Sequence, residues 1–133
     1  MKKRYFAGAA VAAMILTAGM ATTSFADWSQ QNGKWYYYND NNGRLVRNDW
    51  VCSKDAWYYM DYNGVMQTNS LIDDTYYVNG DGVMVKNSWI QLTEDTSQKK
   101  SGWYYVDAKG KMIKDKWSTI GDKKYAFDSD GKM

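Results

Sequence analysis

An aromatic word recurs down the chain at nearly fixed spacing: Trp35-Tyr36-Tyr37, Trp57-Tyr58-Tyr59, Tyr76-Tyr77, Trp103-Tyr104-Tyr105 and a degenerate Tyr125-Ala126-Phe127. Each copy runs into an Asp- or Asn-rich bend that closes on Gly43, Gly64, Gly82, Gly110 or Gly131. Seven residues beyond each of the first four glycines stands an apolar residue: Trp50, Leu71, Trp89 and Trp117. A period of about 20 residues with conserved internal offsets marks a structural repeat, whose units cannot bury their apolar faces alone. The units read as 28–49, 50–70, 71–88, 89–116 and a truncated 117–133.

Within the first unit, Asn32-Gly33 separates two strand-like runs. Asn-Gly suits the type I′ turn, which needs positive φ at both central positions. A two-residue turn there sets 31 opposite 34, 30 opposite 35 and 28 opposite 37. Opposed and alternate residues share a face, so Trp28, Trp35 and Tyr37 lie on one side and Tyr36 and Tyr38 on the other. Trp50 and Trp57 repeat the spacing around Lys54-Asp55. The Tyr and Trp runs favour strand, proline is absent, and no helical period appears after residue 26. An all-β chain of hairpins is expected. A lone hairpin is marginal in water, so the units should stack into an elongated array with local contacts and no central pocket. The fourth unit carries an insertion, 94–101, which belongs in its hairpin loop.

The N-terminus reads differently. Lys2, Lys3 and Arg4 precede an apolar stretch from Tyr5 to Met20, and Ser24-Phe25-Ala26 supplies small residues. This pattern predicts a secretory signal peptide, 1–26, cut after Ala26, with the repeat domain occupying 27–133. Removal changes the charge from +2 to −1, with 14 basic against 15 acidic residues. The mature chain then offers no basic footprint for nucleic acid, and no membrane attachment is expected after cleavage. The single cysteine, Cys52, cannot form an internal disulfide. Three Leu, four Ile and seven Val follow Ala26, against 19 aromatics. The aromatics must therefore carry most of the burial.

The pattern Gly-x-Trp-Tyr-Tyr-x-Asp/Asn-x-x-Gly-x-Met resembles the cell-wall-binding repeat, the choline-binding and glucan-binding repeat of secreted Gram-positive surface proteins. The resemblance covers the whole of 27–133. It implies a β-solenoid of stacked hairpins with ligand pockets between consecutive repeats. Two aromatics of one hairpin and a third from the next form each pocket, often completed by methionine. Carried over, the first pocket uses Trp28 and Trp35 with Tyr58 or Tyr59, and the second Trp50 and Trp57 with Tyr76 or Tyr77. The third unit has Leu71 and Thr75 in place of both tryptophans. The fourth offers Trp89 and Trp103, with the insertion between them leaving their registration open. The fifth offers Trp117 and Tyr125, with Lys124 at the second tryptophan position.

Aromatic faces suit a quaternary ammonium, which has no N–H to donate and binds through cation–π contact worth about 0.5–2 kcal/mol. Sugar rings compete, because their C–H faces also stack on indole. Several weak sites facing a polymer gain by effective concentration. Catalysis is not expected: there is no histidine, Glu94 is the only glutamate, and Asp61, Asp107 and Asp128 occupy equivalent turn positions. Asn79–Gly82 and 128–131 resemble calcium loops only superficially, since an EF-hand loop needs a twelfth-position Glu. No metal or cofactor is expected.

These readings converge on a secreted, non-catalytic module at the cell wall, attached to choline-bearing teichoic acid or a wall glycan. The alternatives are a surface adhesin binding glycan or protein, and the remnant of a wall hydrolase or toxin. The incomplete last repeat leaves a stacking face able to form a homodimer with a second copy.

Overall fold

The computed structural model describes residues 4–6, 23–25, 27–39 and 41–133. The cleavage position after Ala26 and most of the predicted signal segment lie outside them. All twelve elements are strands, and no helix forms among the described residues. They fall into two compact units: residues up to Ser70 with Val78–Met84, and Leu71–Tyr77 with Val85–Met133.

In the first unit, β1 (Arg4–Phe6) and β2 (Thr23–Phe25) are short strands. Then β3 (Trp28–Gln31) pairs with β4 (Lys34–Tyr37), and β5 (Asp49–Ser53) with β6 (Ala56–Met60), both antiparallel. The outer edge of β3 takes β2, and that of β5 takes β1 in parallel. Trp28 faces Tyr37 and Gln30 faces Trp35, the register expected from the Asn-Gly turn. Asn32 and Gly33 have φ of 52° and 77°, and Lys54 and Asp55 have 49° and 63°. The second hairpin thus makes the same turn without glycine. Trp28, Trp35, Tyr37, Val46, Val51 and Met60 form the core here, with Tyr58 and Met66 packed on it.

The second unit holds most of the short hairpin β7 (Ser70–Ile72) and β8 (Tyr76–Val78), with all of β9 (Ser88–Leu92), β10 (Gly102–Val106), β11 (Lys116–Ile120) and β12 (Lys123–Phe127). Strand β9 pairs with β10 and β11 with β12, both antiparallel. Its core is Ile90, Tyr104, Val106 and Met112, flanked by Leu71, Tyr77, Val85 and Leu92.

One bend recurs after four of the hairpins. The Oδ1 atoms of Asp61, Asn79, Asp107 and Asp128 each accept two backbone amides, two and four residues ahead. This is the Asx turn, in which the side chain replaces a backbone acceptor. Just before each of these hairpins stands a left-handed residue, Asn48, Asn69, Asn87 or Asp115, with φ of 47–53°. The amide of each donates to the carbonyl of Asp61, Asn79, Asp107 or Asp128 in turn. Glycine closes the bend for two reasons at Gly64 and Gly82. Their φ values are 81° and 80°, and a Cβ would stand 2.6 Å from Leu45 and 2.8 Å from Met66.

The methionine after the glycine ties one repeat to the hairpin before it. Met66 donates its amide to the Trp35 carbonyl and Met84 to that of Trp57, at 2.9 and 2.8 Å. In the second unit Met112 donates to Thr75 and Met133 to Trp103, at 2.8 and 2.9 Å.

The inserted loop is more ordered than its polar sequence suggests. Asp95 accepts the Ser101 amide at 2.8 Å, and Thr96 Oγ1 accepts that of Lys99 at 2.8 Å. The Lys99 side chain is buried, with Nζ 2.7 Å from an Asp74 carboxylate oxygen and 6.0 Å from the Tyr104 ring centre. It also donates to the Asp130 carbonyl. Lys114 reaches the other Asp74 oxygen at 2.8 Å. Desolvation alone would raise the Asp74 pKa, but hydrogen bonds from Lys114 and Lys99 and their charges hold it below the usual carboxylate value.

Candidate functional site

Strand alternation places each indole pair on one face, and the register brings the rings edge to face. Trp28 and Trp35 are 6.3 Å apart between ring centres, at 84°. Trp89 and Trp103 are 6.3 Å apart at 85°. The insertion therefore leaves the registration of the fourth hairpin unchanged: Trp89 faces Tyr105 and Gln91 faces Trp103. A third ring comes from the next hairpin in each case. Tyr58 lies 5.2 Å from Trp28, and Tyr125 lies 4.8 Å from Trp89. Both tyrosines stand three residues past a two-residue turn.

The fourth hairpin presents these rings openly. Trp89, Trp103, Tyr125 and Met133 line a cavity of about 400 Å³. Trp103 is 41% exposed, and Phe127 stacks behind Trp89 at 6.0 Å and 29°. Three aromatic rings and a thioether make an apolar, π-rich cup, the arrangement that receives a cation lacking hydrogen-bond donors. Met133 was legible only as part of the Gly-x-Met pattern.

The first hairpin repeats this geometry with less access. Trp28 is fully buried and Trp35 only 8% exposed. Its ring partner is Tyr58, whereas Tyr59 stands against Trp50 at 5.2 Å in its own hairpin. Burial raises the Tyr58 pKa, and the nearby Asp81 and Cys52 add to the shift. Trp50 is buried, and Trp57, opposite Cys52, is half-buried. Tyr76 and Tyr77 belong to the second unit, where Tyr77 packs on the core.

Where tryptophans are missing, core fills the space. Tyr104 stands at the place equivalent to Tyr58 and Tyr125, yet it is fully buried with Leu71 against its cluster. Its hydroxyl donates to the Lys100 carbonyl at 2.6 Å, and burial, then the surrounding aspartates, raises its pKa. Trp117 is 65% exposed, with the Lys124 ammonium 5.8 Å from its ring centre. A lysine at the position of a second indole supplies a cation, not a wall.

The choline-binding repeat matches residues 44–83, and the cell wall binding repeat matches 27–45 and 98–112. The chain belongs to this family of choline-binding, cell-wall-binding repeats. Among solved structures it is similar to the modular autolysin LytC of Streptococcus pneumoniae, with 26% identity and a TM-score of 0.69. That match covers 80% of this chain and 24% of the autolysin. Choline binding protein F of the same organism is 34% identical with a TM-score of 0.57, over 79% of this chain and 33% of that one. A truncated alternansucrase of Leuconostoc mesenteroides, at 20% identity and a TM-score of 0.64, shares the fold over 83% of this chain and 10% of its own. The chain thus spans a third or less of these proteins. No curated protein matches it in sequence.

Proposed function

We propose that this chain is a secreted, non-catalytic module that holds its protein to the cell wall by binding choline on teichoic acid. The observation that carries this reading is the open cup of Trp89, Trp103, Tyr125 and Met133. Its lining side chains are three aromatic rings and a thioether, none of them charged, so it meets a trimethylammonium group chiefly with π faces and sulfur. In this reading the hairpins stack as a β-solenoid, and 1–26 is removed on export. The edges of β3 and β5 now paired with β2 and β1 become free. Absence of catalysis is supported by the lack of histidine and by the engagement of the bend aspartates with backbone amides. Similarity to choline binding protein F and to the family's repeats supports the ligand.

The test is a choline titration of tryptophan fluorescence, with release of the protein from choline-bearing walls by free choline. A saturable response and elution are expected. A flat titration together with retention on the wall at high choline would rule the reading out.

A further inference from the structure

The fourth-hairpin loop delivers the one buried cation among the described residues, Lys99. Its ammonium meets the turn of the third hairpin, a ring of the fourth and the bend after the fifth: Asp74, Tyr104 and the Asp130 carbonyl. The repeat tells what place this is. The bend residues Asn39, Asp61, Asn79, Asp107 and Asp128 give every hairpin a common origin. Counted from them, Asp74 is the counterpart of Lys34, Tyr104 of Tyr58 and Asp130 of Asp81. Lys114, which holds the other Asp74 oxygen, is the counterpart of Thr68. All four counterparts line one cavity of about 890 Å³ in the first unit, with Trp35 and Met66 also in its wall. Lys99 thus fills, in the second unit, the space that stays open between the hairpins of the first.

Only the insertion can do this. The other hairpins turn in two residues and have no counterpart of Lys99. The walls differ to match. Leu71 and Thr75 stand where paired indoles stand elsewhere, so a quaternary ammonium would lose most of its π faces here. What the position offers instead is acceptors: the Asp74 carboxylate and the Asp130 carbonyl. Acceptors at a buried site call for N–H donors, which a trimethylammonium group lacks and a primary ammonium has in threes.

We infer that Lys99 is a tethered ligand: the insertion fills the third inter-hairpin position with the chain's own ammonium, and the walls of that position select a primary over a quaternary ammonium. This stands whichever ligand the open cup takes. The test starts from Lys99→Ala in the full chain, which keeps Cβ and leaves room for n-propylammonium to supply the missing atoms. The variant should melt about 5 °C or more below the parent, since Asp74 loses a buried partner. n-Propylammonium chloride should recover about half of that shift or more, with saturation, while tetramethylammonium chloride at equal ionic strength recovers none. The parent, which carries the same cup, is the baseline for both salts. Equal recovery by the two cations, or none by either, overturns the inference. Two further measurements serve if Lys99→Ala does not fold. Lys99→Met keeps the length and the apolar stem, and melting as high as the parent would show that the ammonium is not what the position recognises. In the parent, acetylation of Lys99 should run roughly a hundredfold or more slower than that of exposed Lys100, because it waits on local opening. Equal rates, read by peptide mass spectrometry, would equally overturn it.

Discussion

The backbone amide of Met133 donates to the carbonyl of Trp103 at 2.9 Å, the same bond at the same length that joins Met66 to Trp35. This bond fixes a methionine beside an indole whatever the hairpin loop contains. It explains why a nine-residue loop between β9 and β10, 93–101, in place of a two-residue turn, leaves the indole geometry of the fourth hairpin within a degree of the first.

Trp103→Ala should weaken choline binding without disturbing the fold. The indole is partly exposed and forms one wall of the cup, so the loss is one cation–π contact, about 0.5–2 kcal/mol, or roughly two- to thirtyfold in affinity. Calorimetry with choline, beside an unchanged melting temperature, checks this.

Gly82→Ala should destabilise the first unit by about 2 kcal/mol or more. Alanine at φ of 80° costs about 1–2 kcal/mol, and its Cβ adds an encounter at 2.8 Å with Met66. Urea unfolding of the parent and variant measures the difference. An unchanged midpoint would refute the close approach.

Trp28→Ala should cost about 3–5 kcal/mol, as for other fully buried large aromatics. Trp28→Phe should cost less than half of that, because the indole Nε1 is buried with no partner among the described residues and nothing is lost with it. Equal losses for the two variants would show that Nε1 has a partner in solution.

The lysine clamp on Asp74 gives a defined acid response. Its carboxylate pKa is depressed in the folded state, so its contribution is present above the unfolded value near 3.8 and is lost as pH falls through the lower folded value. Asp74→Asn should lower stability at pH 7 by about 1–2 kcal/mol, a figure reduced from that of fully buried pairs because Asp74 is half-exposed. The gap between parent and variant should narrow below pH 4 in thermal melts. A gap that stays constant to pH 2 would exclude the clamp.

Much of this arrangement was legible in the sequence because it is local. The Asn32-Gly33 turn sets its register from two residues, and the strand period then puts Trp28, Trp35 and Tyr37 on one face. What escaped depends on contacts between repeats. Alternation sends Tyr58 and Tyr59 to opposite faces, but it does not tell which face meets the preceding hairpin. Lys99 sits in a polar loop, and its burial depends on Asp74, 25 positions earlier and in a different hairpin. The Trp89 and Trp103 registration was open for the same reason: loop length alone does not say whether the strands beyond it stay aligned.

Thr75 still offers its carbonyl to Met112 although the indole that stands there in other repeats is gone. The bond that sets the spacing belongs to the main chain and is indifferent to the side chain above it. A repeat can therefore lose its ligand and keep its place as a spacer. Such a chain can change its valency one substitution at a time, with the surviving sites keeping the separation that multivalent attachment to a polymer requires.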